Sequence, residues 1–288
     1  MTACNVCLAG IGAEPEQASV HSNVRRFKDE SFSVHRCAGC GSIHATDDVD
    51  LAHYYAHYPF HGDLEIDWRL GVMYRSLLGR LQRAGLSREH SVLDYGCGGG
   101  LVVRFLKEHG YSNAVGYDRY SPQFEKPELL ERRYDLILTQ DVLEHVPDPR
   151  AMLDELGRLA KPGGVVVIGT PNATAIDLSR AEAFAHTLHQ PYHRHMYSER
   201  ALLDVGRGRG WELVRYYPRM YVDTLFPFIN QRFVLHYLRA GDDTLDYAFD
   251  PPRLDNWRLY SPMTVFWALF GYFFPMRTDV MAVFRTPR

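Results

Sequence analysis

Four of the five cysteines fall in two pairs, Cys4-Asn-Val-Cys7 and Cys37-Ala-Gly-Cys40. Two residues between thiolates let a tight knuckle aim both sulfurs at one Zn²⁺, and two such knuckles complete a tetrahedral four-thiolate site. The intervening stretch is long for such a site, yet Phe32-Ser-Val-His-Arg36 alternates apolar and polar like a ribbon strand entering its knuckle. Redox pairs are the competing reading, and a weak one, because neither pair opens a βαβ unit. A closed site leaves no position for water, so zinc on Cys4, Cys7, Cys37 and Cys40 is expected to be a folding element and not a catalyst. His21, His35 and His44, close by in sequence, read as surface residues.

The second feature is Asp94-Tyr-Gly-Cys-Gly-Gly-Gly100. A glycine-rich turn between a strand and a helix lets a ligand approach the backbone at the carboxyl edge of a sheet. The nicotinamide pattern GxGxxG is broken, because Leu101 stands where its third glycine belongs. Asp94 would sit poorly beside a pyrophosphate and well beside an ammonium group. S-adenosylmethionine (SAM) carries an ammonium, a sulfonium and no phosphate. Asp118, about twenty residues on, is spaced to accept hydrogen bonds from two ribose hydroxyls.

The elements that must position these residues are legible from periodicity. Leu70, Met73, Leu77 and Leu81 recur at helical steps over residues 64–84. Strands are predicted at Ser91–Tyr95, Ala114–Asp118, Tyr134–Gln140 and Val165–Gly169, with helices at Leu101–His109 and from the Asp148-Pro149 cap onward. Alternating strands and helices predict an α/β fold, a Rossmann-like doubly wound and mostly parallel sheet with an antiparallel last strand, Asp279 to Arg285, at its edge, plus a small N-terminal zinc ribbon. The expected organisation is a ribbon-like segment over 1–50, a connecting helix within 51–90 and a SAM-binding domain over 91–288, with an aromatic-rich insertion at about 218–278.

Together these motifs resemble class I SAM-dependent methyltransferases. The matching residues are Val92 to Gly100, Val115 to Asp118, Tyr134 to Pro149 including Gln140-Asp-Val-Leu-Glu-His145, and Leu159-Ala-Lys-Pro-Gly-Gly164. More narrowly, the chain is similar to a bacterial branch with a zinc ribbon before the methyltransferase fold, acting on sugars, surface glycans and other small metabolites. The resemblance implies that the turn Asp94, Tyr95, Gly96, Cys97 and Gly98 holds the methionine moiety, Asp118 the ribose, and Gln140, Asp141 and Val142 the adenine and methionine side. Only a short stretch separates Asp118 from Asp135, where the family fits a helix, a third strand and an acidic adenine contact. The third strand is therefore expected to be missing or vestigial, and the adenine contact is assigned to no residue.

Methyl transfer needs alignment of acceptor, methyl and sulfur, and a base only where the acceptor must lose a proton. His145 reads mainly as a structural residue, with a catalytic base as the second reading. His186, His189, His193 and His195 crowd the loop after the fifth strand, where acceptor pockets of this fold form. Either they pack the loop over SAM, or His193 or His195 deprotonates a hydroxyl. A second metal site among them is not expected, because no carboxylate accompanies them at suitable spacing.

The chain of 288 residues carries 46% hydrophobic residues and a formal charge of −3, so a large core is expected and a basic field for nucleic acid is not. The apolar run Met263 to Met276 falls short of the ~20 residues that span a bilayer. No secretory signal is read, so a cytoplasmic location is expected, with peripheral membrane contact through the aromatic insertion as an option. The leading reading is O-methylation of a small hydroxylated acceptor such as a sugar or lipid-linked glycan. An idle SAM-fold scaffold with a partner-binding ribbon and an RNA methyltransferase are the alternatives. The aromatic residues of the insertion are expected to pack on the sheet or ribbon, with lipid or dimer contact as competing uses. Oligomeric state is not read.

Overall fold

The structure, a computed structural model, describes residues 3–10, 16–58, 65–250 and 260–288. Leu64, the expected start of the first long helix, and residues 251–259 of the aromatic insertion lie outside them. In chain order the elements are β1 (Glu16–His21), β2 (Ser31–Arg36), β3 (Ile43–Ala45), α1 (Leu51–Tyr55), α2 (Trp68–Arg83), β4 (Val92–Tyr95), α3 (Leu101–Glu108), β5 (Ala114–Tyr117), β6 (Tyr134–Gln140), α4 (Pro149–Leu159), β7 (Ala160–Pro171), α5 (Ala185–Leu188), β8 (His195–Met196), α6 (Glu199–Arg207), β9 (Glu212–Tyr217), α7 (Gln231–Ala240), α8 (Pro262–Phe270) and β10 (Asp279–Arg285).

Six strands form the main sheet in the order β5-β4-β6-β7-β10-β9, parallel from β5 to β7. Its central strands bury both faces, as continuous Val, Leu and Ile runs dictate. On one face α4 buries Met152, Leu153, Leu156 and Leu159. It starts where Asp148 accepts from the backbone N–H groups of Arg150 and Ala151, with Pro149 in the first turn. On the other face α2, capped by Asp67, packs Tyr74, Leu77 and Leu81 with Phe105 and Leu106 of α3.

The family's third strand is missing, as the short stretch after Asp118 leads one to expect. After β5 the chain makes one 3₁₀ turn, Pro127–Glu131, pinned by the Tyr134 hydroxyl donating to Leu129 O at 2.8 Å, so β5 is the sheet edge. The last strand is antiparallel as expected but is not the edge. β10 lies between β7 and β9 with its centre buried, and the half-exposed β9 closes the sheet. The insertion between them holds α7 and α8, and its aromatic residues are not all core: Phe226, Phe228, Phe266, Phe270, Phe273 and Phe274 are exposed. Among the described residues no helix is long and apolar enough to cross a membrane.

A second, antiparallel sheet runs β1-β2-β3-β8. Its fourth strand comes from the loop after β7, pairing His195 with His44 and Met196 with Ile43. The junction continues beyond the ladder. Arg36 donates to the carbonyls of Ala173 and Ile176, Ser198 Oγ donates to Cys40 O, and Arg25 pairs with Asp242 and Asp250.

Candidate active site and metal centre

The knuckles bring all four cysteines together. Cys4 Sγ lies 3.7 Å from Cys40 Sγ, and Cys7 Sγ lies 3.7 Å from Cys37 Sγ. A tetrahedron with Zn–S bonds of about 2.3 Å has edges of about 3.8 Å, so these sulfurs fit a zinc ion. Such an ion would be held by the four thiolates alone, as a structural site. Two of the three neighbouring histidines are not the surface residues their sequence setting suggested. His21 is exposed and paired with Glu182, whereas His35 and His44 are buried, and His44 Nε2 sits 3.1 Å from Cys4 Sγ. The register of β2 and β3 turns them inward between the cysteines and β8.

At the carboxyl end of β4, Asp94 is buried, and that burial, with Asp118 nearby, lifts its carboxyl to about 7. Gly96 has φ +79°, and a Cβ there would overlap Val142. Gly98 and Gly99 face open space, since nothing lies within 4 Å of a Cβ built on either. This bare cradle beside a buried carboxylate fits the ammonium-bearing end of SAM. Asp118 Oδ2 accepts from Gly98 N at 2.9 Å, and Oδ1 accepts from Tyr120 N at 2.8 Å and Ser121 N at 3.1 Å. The carboxylate thus ties the ends of β4 and β5 together. Tyr95 turns away, its hydroxyl donating to Glu155, and Cys97 is half-buried with its thiol pushed up by burial, Asp94 and Asp118. Gln140 lies against Gly169, and its Nε2 donates to Thr139 O.

Asp141, in the left-handed region at φ +54°, is open to solvent on one side and enclosed elsewhere. That enclosure and the neighbouring Asp279 push its carboxyl up to about 8. One turn on, Glu144 is fully buried and its acidity is suppressed by burial and Asp141, while Thr170 Oγ1 donates to its Oε2 at 3.0 Å. The Glu144 carbonyl accepts from Arg194 N and His195 N, which fixes the histidine loop against the end of β6. His145 and His193 meet edge to face at 4.8 Å. Burial holds His145 down to about 4, and burial with the neighbouring His145 and His189 drives His193 well below the ordinary range. Of the three histidines read as catalytic, these two come together and His195 does not join them. Its Nδ1 faces His44 at 3.1 Å, and its Nε2 lies 3.3 Å from Asn5 and from Pro147 O, inside the junction with the four-stranded sheet.

Sequence reasoning passed over the aromatic side of this cleft. Tyr55 and Tyr58, from α1 and the turn after it, pack with Tyr192 at ring separations of 5.2 and 4.8 Å. Tyr55 OH lies 2.9 Å from His145 Nδ1, and Tyr58 OH lies 3.1 Å from His189 Nε2. The Tyr55/Tyr58 spacing, one helical turn, was the available signal. A cavity of about 360 Å³ lined by Arg133, Lys161, Trp211 and Thr286 lies at the opposite end of the strands and holds none of these groups.

Residues 71–216, just over half of the chain, match the family model described as "Methyltransferase domain". The chain belongs to the class I SAM-dependent methyltransferases. Among curated proteins, the ubiquinone biosynthesis O-methyltransferase of Serratia proteamaculans is 32% identical over 114 residues, covering 32% of this chain and 47% of the relative. That of Yersinia pestis is 33% identical over the same length, with the same coverage. The chain spans about half the length of the curated relatives it matches. Among solved structures, phosphoethanolamine N-methyltransferase 2 of Haemonchus contortus, in complex with S-adenosyl-L-methionine, is 15% identical. It has a TM-score of 0.46 and covers 74% of this chain and 53% of that one. A SAM-dependent methyltransferase from Mesorhizobium loti is also 15% identical, with a TM-score of 0.43 and coverage of 73% and 97%. SAM supplies this methyltransferase with an electrophilic methyl group on a sulfonium that leaves as a neutral thioether.

Proposed function

We propose that this methyltransferase O-methylates a small hydroxylated acceptor, a sugar or lipid-linked glycan, in the cleft between the β4 turn and the histidine loop. The observation that carries this reading is the convergence of Glu144, His145 and His193 with the ring faces of Tyr55, Tyr58 and Tyr192, next to Asp141 and the open Gly98–Gly99 cradle. In this reading Asp94, Gly96, Gly98 and Asp118 hold SAM, with Gln140, Asp141 and Val142 alongside. The tyrosine faces bind the acceptor's apolar surface, and the Glu144–His145–His193 wall receives and activates its hydroxyl. The O-methyltransferase names of the relatives support oxygen as the methylated atom. Residues 1–50 serve as a zinc-bearing brace for the histidine loop.

Transfer from methyl-labelled SAM to fractionated cell extract tests this. Label is expected in a small-molecule or lipid-extractable fraction as a base-stable methyl ether. Label confined to RNA or protein would sink the proposal. His193→Ala is expected to lower kcat at least tenfold with unchanged SAM affinity.

A lipid-linked acceptor is favoured by the exposed apolar face of α8. There Met263, Val265, Leu269 and Phe270 are exposed, and Arg219 and Arg232 sit beside the neighbouring Tyr272 and Trp267. Apolar rings flanked by cations suit the interface of an anionic bilayer. Co-sedimentation with anionic vesicles, lost in Phe270→Ala, is the expected result, and absence of sedimentation by the parent protein would remove the membrane part of the proposal.

A further inference from the structure

Apart from the four cysteines, one group among the described residues is spaced to hold a metal ion. A carboxylate oxygen of Glu144 and a ring nitrogen from each of His145 and His193 lie within 4.8 Å of one another. The carboxylate judged missing from the histidine loop is supplied from about fifty residues upstream, by the turn after β6.

Three details distinguish this group from ordinary packing. Glu144 is wholly buried, and although Thr170 serves its Oε2, its Oε1 has no hydrogen-bond partner. A buried carboxylate oxygen without a donor is an unusual and unfavourable arrangement when protein atoms alone must satisfy it. His193 Nε2 stands 4.0 Å from that oxygen, beyond hydrogen-bond reach, while its Nδ1 is 2.9 Å from Thr187 O. A carbonyl only accepts, so Nδ1 carries the proton and Nε2 turns a lone pair toward Glu144. Tyr55 OH, 2.9 Å from His145 Nδ1, holds the ring of His145 in place. Outer partners of this kind fix the rotation and tautomer of ligating imidazoles.

We infer that Glu144, His145 and His193 form a binding site for a divalent first-row transition cation, separate from the four-cysteine site. Two imidazoles and one carboxylate suit Mn²⁺, Fe²⁺, Co²⁺ or Zn²⁺ better than the all-oxygen preference of Ca²⁺ or Mg²⁺. Three protein ligands leave positions open. Glu144 and His193 are enclosed while His145 is half-buried beside Tyr55, so an acceptor would reach these open positions from the side of His145. An acceptor with two neighbouring oxygens, as in a vicinal diol, would fill two of them.

What the cation does rests on the proposed O-methylation; whether it binds does not. It would lower the hydroxyl pKa so that the proton passes to solvent. The oxygen then forms the new C–O bond as the C–S bond of the sulfonium breaks, its electron pair staying on sulfur.

The test is Mn²⁺ titration of the full-length protein after dialysis into metal-depleted buffer without strong chelator, followed by electron paramagnetic resonance. Mn²⁺ is an ion that a four-thiolate site disfavours. One equivalent should bind, and Glu144→Gln and His193→Ala should each weaken it at least tenfold while calorimetric SAM affinity stays within twofold. If one variant also loses SAM, the other variant decides. Equal Mn²⁺ affinity in parent and variants, or no binding by a parent that binds SAM, overturns the site. A parent that binds Mn²⁺ with this variant pattern, but methylates no hydroxylated acceptor, would leave the site standing and defeat the O-methylation proposal instead.

Discussion

The two sheets of this molecule obtain their order in different ways. In the six-stranded sheet, Leu93, Leu136, Ile137, Val166, Val167, Ile168, Met281 and Phe284 are all essentially inaccessible and pack between two helical layers. Against the four-stranded sheet, a smaller buried cluster takes Val20, Val34 and Ile43, with half-buried Ala18, from the N-terminal strands. The rest of that cluster, Ala173 to Met196, belongs to the segment after β7. Burial of apolar area therefore suffices for the first sheet, whereas the second draws on a strand lent by the methyltransferase fold and, in the zinc reading proposed above, would draw on metal held by its four cysteines. The small sheet is thus a brace on the histidine loop, and disturbance of it should reach the acceptor side of the cleft before the cofactor side.

Removing the metal is the severest test of that contrast. Cys37→Ser should abolish zinc binding, whose apparent free energy in structural sites is about 10–16 kcal/mol. Hydrogen exchange should then lose protection over β1–β3 while β4, β6 and β7 stay protected and SAM still binds. Full protection of β1–β3 in protein shown by metal analysis to hold no zinc would refute the dependence. Next in size, Ile137→Ala in β6 should lower global stability by about 2–5 kcal/mol in a denaturant titration, the range for truncating a buried aliphatic side chain. Val34→Ala should move that global midpoint far less and act mainly on β1–β3. Equal effects would mean that the two sheets unfold as one unit.

At the cofactor edge, Asp118→Ala should weaken SAM binding by about 1.5–3 kcal/mol, because the carboxylate also holds the backbone of Gly98. Unchanged affinity by calorimetry would remove Asp118 from the site.

How much of this was readable beforehand differs by region, for physical reasons. The knuckles, the glycine turn, the Asp148-Pro149 cap and the missing third strand rest on local chemistry, namely spacing, capping and chain length, and each is found where sequence placed it. What escaped depends on pairing between distant segments. β8 is two residues long and exists because β3 offers it an edge, so no periodicity could announce it. The same pairing carries His195 away from His193 and buries His44. Glu144 and the histidine loop are brought together by the backbone bonds of Arg194 and His195 to the Glu144 carbonyl, a pairing across about fifty residues. β10 was expected at the edge because its own sequence cannot say that β9 will cover it.

The smallest effect concerns Asp94, and it separates a carboxylate built into a hydrophobic sheet from one exposed on a loop. Burial, with help from Asp118, raises the Asp94 carboxyl to about 7, so below that pH it is mostly neutral and above it charged. The ammonium of SAM is attracted to the charged form only, hence binding should strengthen as pH rises and weaken as it falls. Linkage to one proton at a pKa near 7 gives about a tenfold change in Kd between pH 8 and pH 6, or about 1.4 kcal/mol. Asp94→Asn removes the titrating group while keeping its shape, so its SAM affinity should be lower at pH 8 and flat across this range. Calorimetry at both pH values reads this directly. A parent as flat as the variant would mean that Asp94 stays ionised in the fold, with the sheet's burial overcome by the turn's own N–H groups.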